Sequence, residues 1–155
     1  MNDRQEVAHA PIVVEQGTAV LVLVKKHLRI GYSGLLIFAV LGVALEALHA
    51  WKASAYLGVD HEARRLMWTL AHAHGLGLSL LQIAFAASLR LMAAEKLLLA
   101  SRLLNAATVL IPLGFFLGGV NTYEADPGFG ILLVPVGALA LLAGLAAVVR
   151  VLFAR

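Results

Sequence analysis

Glu46 and His49 lie three residues apart in an apolar stretch, so on a helix turning roughly 100° per residue they share one face. His72 and His74 lie in a second such stretch. With consistent helix lengths, the two pairs reach similar depth, the second about 10 Å inside the end of its helix. Neutral imidazole binds zinc, copper, nickel and iron, and a carboxylate can complete the set. Glu46, His49, His72 and His74 are therefore candidate ligands for a transition metal, and His49 with His72 or His74 could ligate haem axially. The other reading is a hydrogen-bonded polar layer that aligns the helices. Carboxylate-bridged di-iron bundles need two E-x-x-H steps, whereas this chain has one and has no c-type haem attachment motif. The polar layer is the stronger expectation.

Two residues correspond to about 200° of helical rotation, so His72 and His74 cannot share a face. Thr69, His72, Gly75, Ser79 and Gln82 recur at spacings of three and four and make a polar, small-residue stripe that favours His72 as the inward residue. A second polar set, Arg102, Asn105 and Thr108, shares a face of a later helix. Gln82 and Asn105 fall at similar depth, about 12 Å from the membrane boundary, which predicts an amide hydrogen bond between helices with Arg102 snorkelling to the interface. A transporter would use both sets as halves of a pathway, although no inverted repeat is visible.

These side chains are carried by four mostly apolar runs, Ile30–Ala50, Leu66–Leu89, Leu97–Val120 and Phe129–Phe153. A helix rises about 1.5 Å per residue and the hydrocarbon core is roughly 30 Å thick, so each run can cross a bilayer. The composition agrees: 61% hydrophobic residues and a mean hydropathy of +0.90 leave too little polar surface for a water-soluble domain. The sequence predicts an all-α integral membrane four-helix bundle. Residues 1–29 read as a cytoplasmic N-terminal and interfacial segment, with 1–16 loosely ordered and 17–28 lying along the interface. Residues 30–155 read as the four-span transmembrane domain.

The chain has no cysteine, which excludes disulfides, thiolate chemistry and iron–sulfur ligation. Its twelve Lys and Arg residues are spread among helix ends and form no nucleic-acid-binding face. Arg4, Lys25, Lys26, Arg29, Arg90, Lys96, Arg102, Arg150 and Arg155 fall on one side of a four-span topology, against Lys52, Arg64 and Arg65 on the other. The positive-inside rule then predicts an inner-membrane protein with both termini cytoplasmic. Ala53-Ser54-Ala55 resembles a signal-cleavage site, but Glu46, His49, Trp51 and Lys52 before it and the long apolar run favour retention of the first span. Trp51, Tyr56 and Trp68 are placed near headgroup level, and Glu124 and Asp126 in the last loop are placed to cover the histidine cluster.

Asn121–Gly128 carries turn chemistry that makes the last two spans antiparallel neighbours. Gly114 with Gly118, and Gly137 with Gly144, form smooth stripes for close helix approach, the former also offering an oligomer face. Phe116-Leu117-Gly118-Gly119-Val120-Asn121, followed by Pro135-Val136-Gly137 and Gly144, resembles a family of small four-helix membrane proteins of unknown function, found in the bacterial inner membrane and with eukaryotic counterparts. That resemblance implies location and fold, and no activity. It matches the family's second-helix histidine to His74, and its first-helix histidine loosely to His49, one position late. Leu45-Glu46, Ala138 and Leu145 stand where that family has other residues.

Ser33, Ser54, Ser79, Ser88 and Ser101 lack a nucleophile-elbow context, and neither a P-loop nor an H-E-x-x-H step occurs. The expected role is a structural or accessory membrane component without enzymatic activity, in contact with the bilayer and with a homo-oligomer or larger membrane complex as its partner, and without nucleic acid. A haem- or metal-binding redox protein and a small transporter are the alternatives.

Overall fold

Val24, His27, Gly31, Gly34, Phe38, Leu41 and Leu45 alternate three and four residues apart, which gives the first membrane helix one continuous stripe of buried and half-buried positions. In the computed structural model that helix, α1, runs Asp3–Ala50 without a break. The structure describes the backbone of residues 3–92, 94–123 and 126–154, and side chains at Thr18 and from Val20 onward save at 94 and 95. Helix is present from Asp3, where loose order is expected from the sequence, and no interruption separates an interfacial segment from the first span. A short helix α2 (Ser54–Leu57) follows, then the long helices α3 (Glu62–Ser88), α4 (Leu98–Val120) and α5 (Leu133–Phe153). Four segments are long and apolar enough to cross a membrane: Val20–Ala50, Val59–Ser88, Leu98–Val120 and Phe129–Phe153.

The long helices pack in sequence order, α1 along α3, α3 along α4 and α4 along α5. Among the described residues, α1 and α5 do not pack along each other. The middle pair therefore carries most of the buried surface, while α1 and α5 present their outer faces to the surroundings. The apolar core joins Val24, Phe85, Ala86, Leu89, Leu97, Ala100 and Leu104 at one end and Leu78, Ala107 and Ile111 nearer the middle.

Without a hydrophobic drive between helices in lipid, close backbone approach and van der Waals contact must hold them together. Gly114 of α4 faces α5, and a Cβ there would lie 2.8 Å from Val134 Cγ2; one at Gly137 of α5 would lie 2.6 Å from Ile111 Cγ1. The Gly114/Gly118 face is filled by this chain's own α5 and the turn before it, so it serves packing within the chain. Gly75 of α3 plays the same part toward α1, lying directly under the Phe38 ring.

Two further devices shape the loops. After α1, Lys52 adopts φ of 52°, with Lys52 N–H donating to His49 O at 3.1 Å and Ala53 N–H to Leu48 O at 3.0 Å. This is a Schellman termination with lysine at the left-handed position that glycine usually fills. Between α4 and α5, Tyr123 and Asp126 exchange two backbone hydrogen bonds and Gly128 N–H donates to Gly118 O at 2.8 Å, closing a tight antiparallel connection.

Candidate functional site: two polar sets on one helix pair

The polar side chains form one set at each end of the α1/α3 pair. One end is basic, with Lys25, Lys26, Arg29, Arg90, Lys96, Arg102 and Arg150 near it; the other carries the loops between α1 and α3 and between α4 and α5.

At the basic end His27 is fully buried, at 0% exposure, with Gln82 at 1%, Ser101 at 2% and Thr108 at 7%. His27 Nδ1–H donates to Gln82 Oε1, and Ser101 Oγ–H donates to His27 Nε2 at 2.8 Å. The amide continues the chain, Gln82 Nε2 donating to Thr108 Oγ1 at 2.7 Å and Thr108 Oγ–H to Leu104 O at 2.8 Å. The Gln82 carbonyl oxygen only accepts, which puts a proton on His27 Nδ1; in the neutral ring Nε2 is then the acceptor for the Ser101 hydroxyl. Phe85 packs edge-on to the ring at a centroid distance of 4.7 Å. Three helices are thus tied by one directed chain of hydrogen bonds.

Gln82 does bond to α4, but through Thr108, one turn beyond the Asn105 expected from depth. Asn105 Oδ1 is buried without a partner among the described residues. Depth alone does not fix rotation, and the α4 face turned to α3 carries Ser101, Leu104 and Thr108.

At the loop end, Glu46, His49, Tyr56, Thr69 and His72 line a cavity of about 420 Å³ between α1 and α3. It adjoins a second of about 610 Å³ that shares His49, Tyr56 and Thr69 and adds Glu62 and Arg65. His72 lies over Gly42, where a side chain would collide with the ring, and its Nδ1–H donates to Phe38 O at 2.7 Å. His74 is turned away and exposed, donating through Nδ1 to Leu70 O at 2.9 Å and packing on Phe115 at 4.8 Å. Glu46, His49 and His72 therefore share a cavity that His74 does not enter. Among the described residues, no group of three or more His, Asp or Glu side chains is arranged to hold a metal ion. Asp126 lies in the turn after α4 and does not line this cavity among the described residues; Glu124 is outside them.

Comparison with known proteins adds no relative: no family model, curated protein or solved structure matches this chain. The family resemblance rests on the motif residues alone.

Two contributors were not singled out from the sequence. His27 sits in Lys25-Lys26-His27-Leu28-Arg29, which reads as a basic flank, yet it occupies the inward stripe between Val24 and Gly31. That three-and-four spacing is the signal that finds it. Arg64 donates from Nε to Gly119 O at 3.1 Å and from Nη1 to Ala55 O at 2.9 Å, with its Cζ 5.8 Å from the Trp68 ring centroid. It thus satisfies a carbonyl left open at the C-terminus of α4, where the helix dipole also favours a cation. Tyr56, Trp68 and Phe116 stack beside it at centroid distances of 6.2 and 5.8 Å.

Proposed function

We propose that this chain is a structural or accessory component of the inner membrane, without enzymatic activity, both termini cytoplasmic. The observation that carries this reading is that the buried His27 is fully engaged by its neighbouring helices. Both nitrogens of His27 are spent on α3 and α4, and each end of the Gln82 amide holds a neighbouring helix, so the imidazole offers nothing to a ligand or substrate. The Phe38 ring on Gly75 and Ser79 against Gly34 fill the α1/α3 contact between the two polar sets. That dry waist supports a scaffold over a transport pathway. The clustering of Lys and Arg at one end supports the orientation.

Reconstitution into pyranine-loaded vesicles, together with metal analysis and a visible spectrum of the purified protein, tests the scaffold reading. The expected results are proton flux equal to that of empty vesicles, and neither stoichiometric metal nor a haem band. Flux that disappears in a His27→Leu/Gln82→Leu variant, or a Soret band, would overturn it. Orientation is tested separately with single cysteines, clean because the chain has none. Ser54→Cys and Tyr123→Cys should react with an impermeant thiol reagent in intact cells, and Leu91→Cys only after permeabilisation.

A further inference from the structure

The loop-end cavity has a composition the scaffold reading does not use. His72 donates its Nδ1–H to Phe38 O, so in the neutral ring the remaining nitrogen carries a lone pair and accepts. Thr69 Oγ–H is spent on Arg65 O at 2.8 Å, which leaves its oxygen an acceptor as well. The exposed Glu46 carboxylate is a third acceptor in the same cavity. The adjoining space carries Arg65, half-buried and held by Glu62 through a single 3.6 Å contact, so most of its guanidinium donors remain available. Ala39, Val43 and Leu76 make the remaining wall apolar, along helix faces that run on toward the membrane centre.

An acceptor-rich hollow beside a guanidinium, with an apolar floor at the end of a membrane helix, matches a zwitterionic amphiphile. Glu46 is four residues from the end of α1, about 6 Å, which is headgroup depth. We propose that this cavity binds a phospholipid with a primary-amine headgroup. The ammonium, with three N–H donors, takes Glu46, His72 and Thr69; the phosphate takes Arg65 nearer the loop end; and the acyl chains pass from there out of the cavity into the surrounding bilayer. A quaternary-amine headgroup has no N–H to give these acceptors, and a glycerol headgroup brings hydroxyl donors but no positive charge to pair with Glu46.

The test is native mass spectrometry of the delipidated full chain in detergent with equimolar dioleoyl phosphatidylethanolamine, phosphatidylcholine and phosphatidylglycerol. The ethanolamine lipid should be retained about fivefold over the others, and Glu46→Gln should lower its retention by about fivefold, to the level of the choline lipid. Arg65→Gln should lower both zwitterionic lipids together and leave their ratio intact. Free phosphoethanolamine at the same concentration should displace little lipid; if it displaces the lipid fully, the site belongs to a soluble headgroup compound and the lipid assignment fails. Equal retention of all three lipids by the wild-type chain overturns the proposal regardless of how the variants fold, as does undiminished retention by a Glu46→Gln variant whose melting curve matches wild type.

Discussion

His27 and His72 sit on the same interface between α1 and α3, about 15–20 Å apart along the helices, and they do opposite things with the same ring. At the basic end every polar atom of His27 is matched by a side chain of a neighbouring helix, and water has no access. At the loop end His72 spends one nitrogen on the backbone of α1 and faces a cavity with the other. The difference lies in the neighbours. Gln82 and Ser101 supply an acceptor and a donor at matching positions, whereas around His72 the nearest groups are glycine, threonine and an exposed carboxylate. A buried polar residue is informative only once its partners' capacity has been counted.

The largest consequence is for stability. His27→Ala should cost about 2–4 kcal/mol, because it opens a hole and orphans the Gln82 carbonyl and the Ser101 hydroxyl, whereas His72→Ala should cost about 1 kcal/mol. Unfolding in mixed detergent micelles measures both, and a larger loss at His72 would break the contrast between the two ends. Next comes the waist that separates them. Gly75→Ala places a methyl group inside the Phe38 ring, so about 1–3 kcal/mol should be lost as α1 is pushed from α3. An unchanged melting temperature would show that the two polar sets are not held apart there. Arg64→Ala should remove about 1–2 kcal/mol by releasing the end of α4 from the α1–α3 loop, and this loss should resist salt because its bonds are to carbonyls. Smallest is Lys52→Gly, which relieves a left-handed non-glycine residue and should raise stability by about 0.5 kcal/mol. A fall in stability would mean that the lysine side chain contributes more at the interface than its backbone costs.

Much of this architecture was legible in the chain because hydrophobic length and glycine spacing are local properties. The four spans, the antiparallel packing of α4 on α5 and the contact through Gly114 and Gly137 follow from them directly. The inward placement of His72 was legible from its spacing to Thr69, Gly75 and Ser79, while the motif match pointed instead to His74, which packs outward on Phe115. His27 was obscured by its charged neighbours: Lys25, Lys26 and Arg29 mark the end of a span by charge, but on a helix they point away from the face that buries His27. The pairing of Gln82 with Thr108 in place of Asn105 depends on the rotation of α4 about its own axis, which depth cannot supply. Arg64 was hidden for a third reason, since its acceptors are main-chain carbonyls that no side-chain pattern announces.

The direction of the hydrogen-bond chain from Ser101 through His27 and Gln82 to Thr108 fixes one imidazole proton on Nδ1 in a place that solvent does not reach. Such a proton exchanges slowly enough to be seen by magnetic resonance as a downfield signal, in a region where exposed histidines are silent. The protein therefore carries a built-in reporter: one resonance, present only when α1, α3 and α4 are all in register, by which assembly of the bundle can be followed in a bilayer without any label.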